Sequence, residues 1–257
     1  MELSPLLLKP SALPLLIMVE LLAIWFATYR ARKRGLTTRA GSALITILLI
    51  LLAGWAVTSS YLAINLTYQS DWFLASWPAF WVTSIAVTIV MTPLIFSAGA
   101  RDTIRGIIDA TPLHWLVGFH ALRILAIGGI LKSLNGEFAR YYGLYIGIPD
   151  LIFGLSAVVM AWLVYSSRVG NGVVALWNLL GAIIILPFGM ILLQMGLVGS
   201  WQVFSDTPTI TTIFEYPMAL APTIVVPIFV MMNLFVAIRL IERLVTEKKI
   251  IPVGSGS

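Results

Sequence analysis

The stretch Ser42-Ala43-Leu44-Ile45-Thr46-Ile47-Leu48-Leu49-Ile50-Leu51-Leu52-Ala53-Gly54-Trp55-Ala56-Val57 contains no charged residue, and the chain stays uncharged on to Ile64. A hydrocarbon layer roughly 30 Å thick is crossed by about 20 apolar residues in an α-helix, so this run is long enough to span a bilayer. Immediately before it lies Arg30, Arg32, Lys33, Arg34 and Arg39, and before that a second apolar run, 11–31. That first run has no basic segment ahead of its apolar core and no small-residue cleavage site, so it reads as a span rather than a secretory signal. Further apolar runs follow at roughly 42–64, 77–98, 112–132, 143–166, 173–198 and 215–240.

Seven runs predict an all-α, polytopic membrane protein: one transmembrane domain over residues 1–252, with 253–257 (ending Gly254-Ser255-Gly256-Ser257) a linker or tag remnant. Composition agrees, with 60% of the 257 residues hydrophobic and 11% charged, and leaves no length for a second, soluble domain. Long unbroken apolar runs do not fit the alternating strands of a β-barrel. The net charge of +5 does not point to nucleic acid, because the basic residues sit at the ends of apolar runs and form no aromatic-laced patch. With no cysteine in the chain, disulfides, thiolate metal sites and cysteine nucleophiles are excluded.

Charge placement orients the spans. Putting alternate loops in the cytoplasm collects twelve basic residues there: the five already named, Arg101, Arg105, Arg168, Arg239, Arg243, Lys248 and Lys249. The other side keeps Lys9, Lys132 and Arg140, among the acids Glu2, Asp71, Glu137, Asp206 and Glu215. The positive-inside rule therefore predicts the N-terminus outside and the C-terminus in the cytoplasm. Trp72, Trp77, Tyr141, Tyr142, Tyr145 and Trp201 fall near expected outer boundaries, as in an aromatic belt, and the outer loop 199–214 is expected to form a short cap.

Charge within a bilayer costs on the order of 3 kcal/mol per group and marks either a partner or a role. Glu20, Arg123 and Asp150 are the three such residues. At a rise of about 1.5 Å per residue they lie roughly 17, 16 and 20 Å from the inner surface, in one layer near the midplane. The spans carrying Arg123 and Asp150 are joined by a short outer loop, so an ion pair between them is expected. Glu20 either shares Arg123, faces a polar cavity, or stays neutral in its apolar surroundings. Asn178 and Asn233 form a second polar layer nearer the cytoplasm and meet only if their helices pack together. His120 shares a helix face with Arg123. His114, six residues before His120, lies on another face, so no metal pair is expected. Pro93, Pro149, Pro187, Pro217, Pro222 and Pro227 predict irregular spans, the last above all.

Three groups of residues go further together: Leu122-Arg123-Ile124, then Gly147-Ile148-Pro149-Asp150-Leu151-Ile152-Phe153-Gly154, then Leu176-Trp177-Asn178-Leu179-Leu180-Gly181. With Tyr216-Pro217, Ala221-Pro222-Thr223 and Val226-Pro227 they resemble a family of uncharacterised bacterial multi-pass membrane proteins over roughly residues 115–240. Members of that family carry Gly-Asp where this chain has Pro149-Asp150. They also have a further Asp where Ala182, Ile183 and Ile184 stand. The resemblance implies a seven-helix fold in a bacterial inner membrane and draws attention to Arg123, Asp150 and Asn178; it implies no reaction.

The expected function is that of a small-solute or proton-coupled transporter, or a closely related ligand-binding membrane protein, with an intramembrane polar site of Glu20, His120, Arg123, Asp150, Asn178 and Asn233. A membrane-embedded enzyme acting on a lipid or isoprenoid comes second, because the only loop with two acids, Arg101-Asp102 to Asp109, reads as an ordinary cytoplasmic turn. A non-catalytic sensor, pigment-binding or assembly protein is the third class. The last span has no lysine for a retinal Schiff base before Lys248. The partners expected are the lipid bilayer and a small-molecule or lipid ligand; no metal is expected and the cofactor is left open.

Overall fold

The computed structural model describes residues 11–250, apart from the side chains of residues 79, 80 and 248–250. Glu2, Lys9, the side chains of Lys248 and Lys249, and the expected 253–257 tail lie outside the described residues. Within them the protein is all-helical. Six helices are long and apolar enough to cross a membrane: α1 (Leu13–Lys33), α2 (Arg39–Ile64), α5 (Leu113–Leu134), α6 (Arg140–Tyr165), α7 (Asn171–Gly196) and α8 (Ala221–Glu247). Between α2 and α5 stand α3 (Trp81–Phe96) and α4 (Ala98–Ala110), bent from each other by 112°; counted as one span they bring the total to seven.

The helix ends follow local chemistry. Arg30, Arg32 and Lys33 occupy the last turn of α1, where cations meet the negative end of the helix dipole. Gly35, at φ +73°, then makes the left-handed turn a side chain would oppose. Thr38 caps α2 by accepting from the Gly41 N–H at 3.0 Å, and Ser97 caps α4 in the same way through Ala100 at 3.2 Å.

The expected turn at residues 101–109 is thus corrected to a helix. Its apolar and small residues (Ala100, Thr103, Gly106, Ile107, Ile108, Ala110) are buried while Arg101 and Asp102 are exposed, the pattern of a helix lying on the bundle's end. A Cβ on Gly106 would stand 1.9 Å from the Leu36 carbonyl oxygen, so glycine is what seats α4 on the α1–α2 turn.

α8 is the most buried of the long helices and serves as a central post. It packs lengthwise on α7 and also touches α1, α2, α3 and α4, while α5 and α6 pack on each other. The last expected span, 215–240, starts and ends later than read: residues 216–219 form a turn that takes Pro217 out of the helix, and the helix runs on past Arg239 and Arg243. Pro222 begins a π-turn over Ala221–Val225, and Pro227 follows it. Pro227 has no N–H to offer the carbonyl four residues back, that of Thr223. Trp55 of α2 supplies the missing donor, its Nε1 reaching Thr223 O at 2.9 Å. Beside it, Ser59 and Thr223 share a hydroxyl hydrogen bond of 2.8 Å.

Loop 199–214 folds onto the bundle as the expected cap. Ile210, Ile213 and Phe214 are buried, and Phe204 stacks on Tyr141 with ring centroids 4.0 Å apart. Tyr141 is therefore core, not belt, whereas Trp72, Trp77, Tyr145 and Trp201 are exposed.

Candidate functional site

Arg123 sits in a stretch of 3-10 helix, Phe119–Ala126, inside α5. In that geometry residues three apart eclipse, so His120 and Arg123 project from the same side. The expected ion pair is present: Arg123 Nε donates to Asp150 Oδ1 at 2.6 Å and Nη2 contacts the same oxygen. Nη1 donates to the Gly181 carbonyl at 3.1 Å, tying α5 to α7 as well as to α6. The guanidinium lies over the Phe153 ring at 4.3 Å, and Phe153 stacks in turn on Trp177 at 4.2 Å. Trp177 Nε1 donates to Ser156 Oγ at 3.0 Å. A charge buried to 1% exposure is thereby held by one carboxylate, one carbonyl and one aromatic face.

Two glycines make this column possible. A Cβ on Gly154 would stand 2.6 Å from Ile124 N, so α5 and α6 approach backbone to backbone there. A Cβ on Gly181 would stand 2.1 Å from Phe153 Cζ.

The pair stands at a cavity of about 490 Å³ between α1, α3, α5, α6, α7 and α8. Among the described residues Asp150 is the single carboxylate of its lining and keeps 15% of its side chain exposed; Arg123, Lys132 and Tyr142 are the other chemically distinctive polar groups. Every irregular segment of the surrounding helices borders this space: the 3-10 stretch of α5, and π-turns at Gly143–Gly147 in α6, Ile184–Gly189 in α7 and Ala221–Val225 in α8. Backbone that departs from the α-helix is tolerated at membrane depth where it lines a cavity. A smaller cavity of about 190 Å³ lies toward the expected cytoplasmic end, bounded by α1, α2, α4, α5 and α8.

The partition between the cavities is thin. On α1, Leu16 borders the larger and Ala23 the smaller, about 10 Å apart along the helix, and Glu20 falls between them. On α5, Phe119 borders the smaller and Leu122 the larger, with His120 between. Both Glu20 and His120 are fully buried, and among the described residues neither carboxyl oxygen of Glu20 nor either ring nitrogen of His120 has a hydrogen-bond partner. Of the alternatives open to Glu20, sharing Arg123 does not occur among the described residues. His120 is instead enclosed by Phe119, Phe153, Trp177 and Phe229, all with ring centroids within 5.9 Å. His114 points elsewhere, edge-on to Tyr165 at 5.2 Å.

The second polar layer is only partly as expected. α7 and α8 do pack together and both asparagines are fully buried. They do not bond to each other: Asn178 Nδ2 donates to Val174 O in its own helix at 2.9 Å, and the Asn233 amide has no partner. No group of three or more histidine, cysteine, aspartate or glutamate residues arranged to hold a metal occurs among the described residues.

At the expected cytoplasmic end a charge cluster joins α4 to α8. Arg239 Nε donates to Asp109 Oδ1 at 2.9 Å, and Arg243 adds a second guanidinium to the same carboxylate. Arg105 grips Glu242 through Nε at 3.1 Å and Nη2 at 2.6 Å. Burial pushes the Asp109 carboxyl up, but the Arg239 and Arg243 guanidiniums outweigh it and hold the group below its ordinary 3.8. The two acids Asp102 and Asp109 of the enzyme reading thus do not act together: Asp109 is committed to α8 and Asp102 to Arg105.

Fold and site together define an all-helical protein with helices apolar enough to span a membrane and a buried ion pair beside an internal cavity. The chain belongs to the family described as Domain of unknown function (DUF8737), whose model matches residues 79–241. The match takes in Arg123, Asp150, Asn178 and Asn233 and leaves α1, with Glu20, outside it. No curated protein and no solved structure matches the chain.

Proposed function

We propose that the chain is a seven-span protein of a bacterial cytoplasmic membrane, N-terminus outside, that carries a small solute across the bilayer by way of the Arg123–Asp150 pair with Glu20 as the proton-coupling acid. The observation that carries this reading is the pair of cavities whose linings stand about two turns apart on α1 and about one turn apart on α5, with Glu20 and His120 fully buried at those levels. Alternating access needs a site reached from one side through a cavity and a thin barrier that opens to the other. Both contacts that Arg123 makes with Asp150 fall on Oδ1, which leaves Oδ2 to receive an N–H or O–H of the solute. A lipid-active enzyme is the weaker reading, because among the described residues no second carboxylate stands beside Asp150 in the cavity lining.

Gly129 gives a direct test, since it borders the larger cavity and a side chain built there meets nothing within 4 Å. The chain has no native cysteine to interfere. In sealed cells Gly129→Cys should react with an impermeant thiol reagent added outside. Corrected against the loop variant Asp71→Cys, its rate should depend on pH, and Glu20→Gln should abolish that dependence. Labelling from the inside alone would overturn the orientation, and an unaltered pH profile in Glu20→Gln would overturn the coupling.

A further inference from the structure

The smaller cavity has a different chemistry from the larger one. Its lining is apolar apart from Arg30 and Thr111, and its mouth is flanked by Phe26 and Trp115, each about half exposed on the bundle's side surface and stacked at 6.3 Å. An apolar space without hydrogen-bonding groups is not filled by water, because a water needs two or more polar partners. One that opens sideways into a bilayer has acyl chains at its door.

The charges at the mouth are equally specific. Arg30 Nε and Arg34 Nη1 both donate to the Ala110 carbonyl, at 3.2 and 2.8 Å, and the Arg30 guanidinium lies over the Trp115 ring at 4.9 Å. Neither arginine has a carboxylate partner among the ion pairs of the described residues. Two cations held in place by a carbonyl and an indole, but not neutralised, stand at the rim of an apolar pocket on the side where anionic lipid headgroups lie. Basic pockets between helices on the cytoplasmic side recognise such headgroups.

We infer that this cavity is a binding site for one anionic phospholipid of the cytoplasmic leaflet. Its phosphate engages Arg30 and Arg34 and one acyl chain enters between α1 and α5, past Phe26 and Trp115. The site follows from the membrane orientation and does not depend on transport, so it stands or falls separately from the solute reading.

Native mass spectrometry of the full chain, released from detergent with phosphatidylglycerol, phosphatidylcholine or oleate, tests it. The protein should retain one phosphatidylglycerol in preference to phosphatidylcholine of the same chains. Arg30→Gln should weaken that retention about fivefold, the worth of one basic group at an anionic surface. Ala27→Phe, which fills the pocket and keeps every charge, should remove it, whereas Arg168→Gln on another cytoplasmic loop should leave it unchanged. Equal retention of both phospholipids would overturn the site. So would full retention in Ala27→Phe, which would place the lipid on the surface, or displacement of phosphatidylglycerol by equimolar oleate.

Discussion

Replacing Gly181 by alanine sets two effects of opposite sign against each other. In the middle of a helix, alanine is favoured over glycine by about 1 kcal/mol. At this position, however, the new methyl would lie 2.1 Å from Phe153 Cζ and 2.6 Å from both Cε atoms. The ring cannot swing aside, because the Arg123 guanidinium covers one face at 4.3 Å and Trp177 the other at 4.2 Å. Overpacking of a close-packed interior costs about 1–3 kcal/mol, and this contact belongs at the upper end. Gly181→Ala should therefore be destabilised by a net of about 1–2 kcal/mol. In a Phe153→Leu background the obstacle is gone, and the same change should be neutral or stabilising by up to about 1 kcal/mol. Unfolding of the four proteins in mild detergent, followed by tryptophan emission, closes the cycle. Gly181→Ala as stable as the parent, or equally costly with and without Phe153, would refute the clash.

Arg123→Ala and Asp150→Ala should each cost about 3–5 kcal/mol by stranding a buried charge, and the double replacement should cost less than their sum; simple additivity in the same unfolding assay would show the pair is not coupled. Because the folded-state Asp109 carboxyl titrates below its ordinary 3.8, its pairing contributes stability that is fully present above that pH and is lost as pH falls through the depressed value. Asp109→Asn should flatten the acid limb of the stability profile below about pH 4 and lower stability at neutral pH, whereas an unchanged acid limb would remove Asp109 from the account. In sealed cells Arg34→Cys and Ser166→Cys should be shielded from an impermeant thiol reagent and Asn135→Cys labelled; labelling of Arg34→Cys would invert the bundle.

The helices apolar enough to span a membrane were legible because hydropathy acts over about 20 residues and needs no knowledge of neighbours. The Arg123–Asp150 contact could be anticipated from depth alone, since two charges in one layer of adjacent helices have few alternatives. α4 was missed although its small and apolar residues recur at helical spacing (Thr103, Gly106, Ile107, Ala110): its charges drew the reading toward a turn, and their partners Arg239, Glu242 and Arg243 lie more than a hundred residues away. The prolines announced irregular helices but not that their π-turns would gather round one cavity, which depends on how the helices lean together. The Phe153–Trp177 stack left its trace in residues that carry no chemistry, the glycines at 154 and 181 that clear space for it.

The bond from Trp55 to the Thr223 carbonyl bears on how the molecule is made. The post around which the bundle is arranged is the last of the described helices in chain order, so it leaves the ribosome after the others it packs on. α5, α6 and α7 can assemble their ion pair and aromatic column as soon as they are made, from neighbours already present. In α2 the Trp55 indole has to wait for the Thr223 carbonyl until α8 arrives, whereas the Ser59 hydroxyl already receives the Tyr68 hydroxyl from its own side of the bundle. A nascent chain stalled before residue 221 should therefore hold the Arg123–Asp150 pair and its aromatic column already formed, while the Trp55 indole still lacks its acceptor and the faces of α2 and α7 that receive α8 stay open.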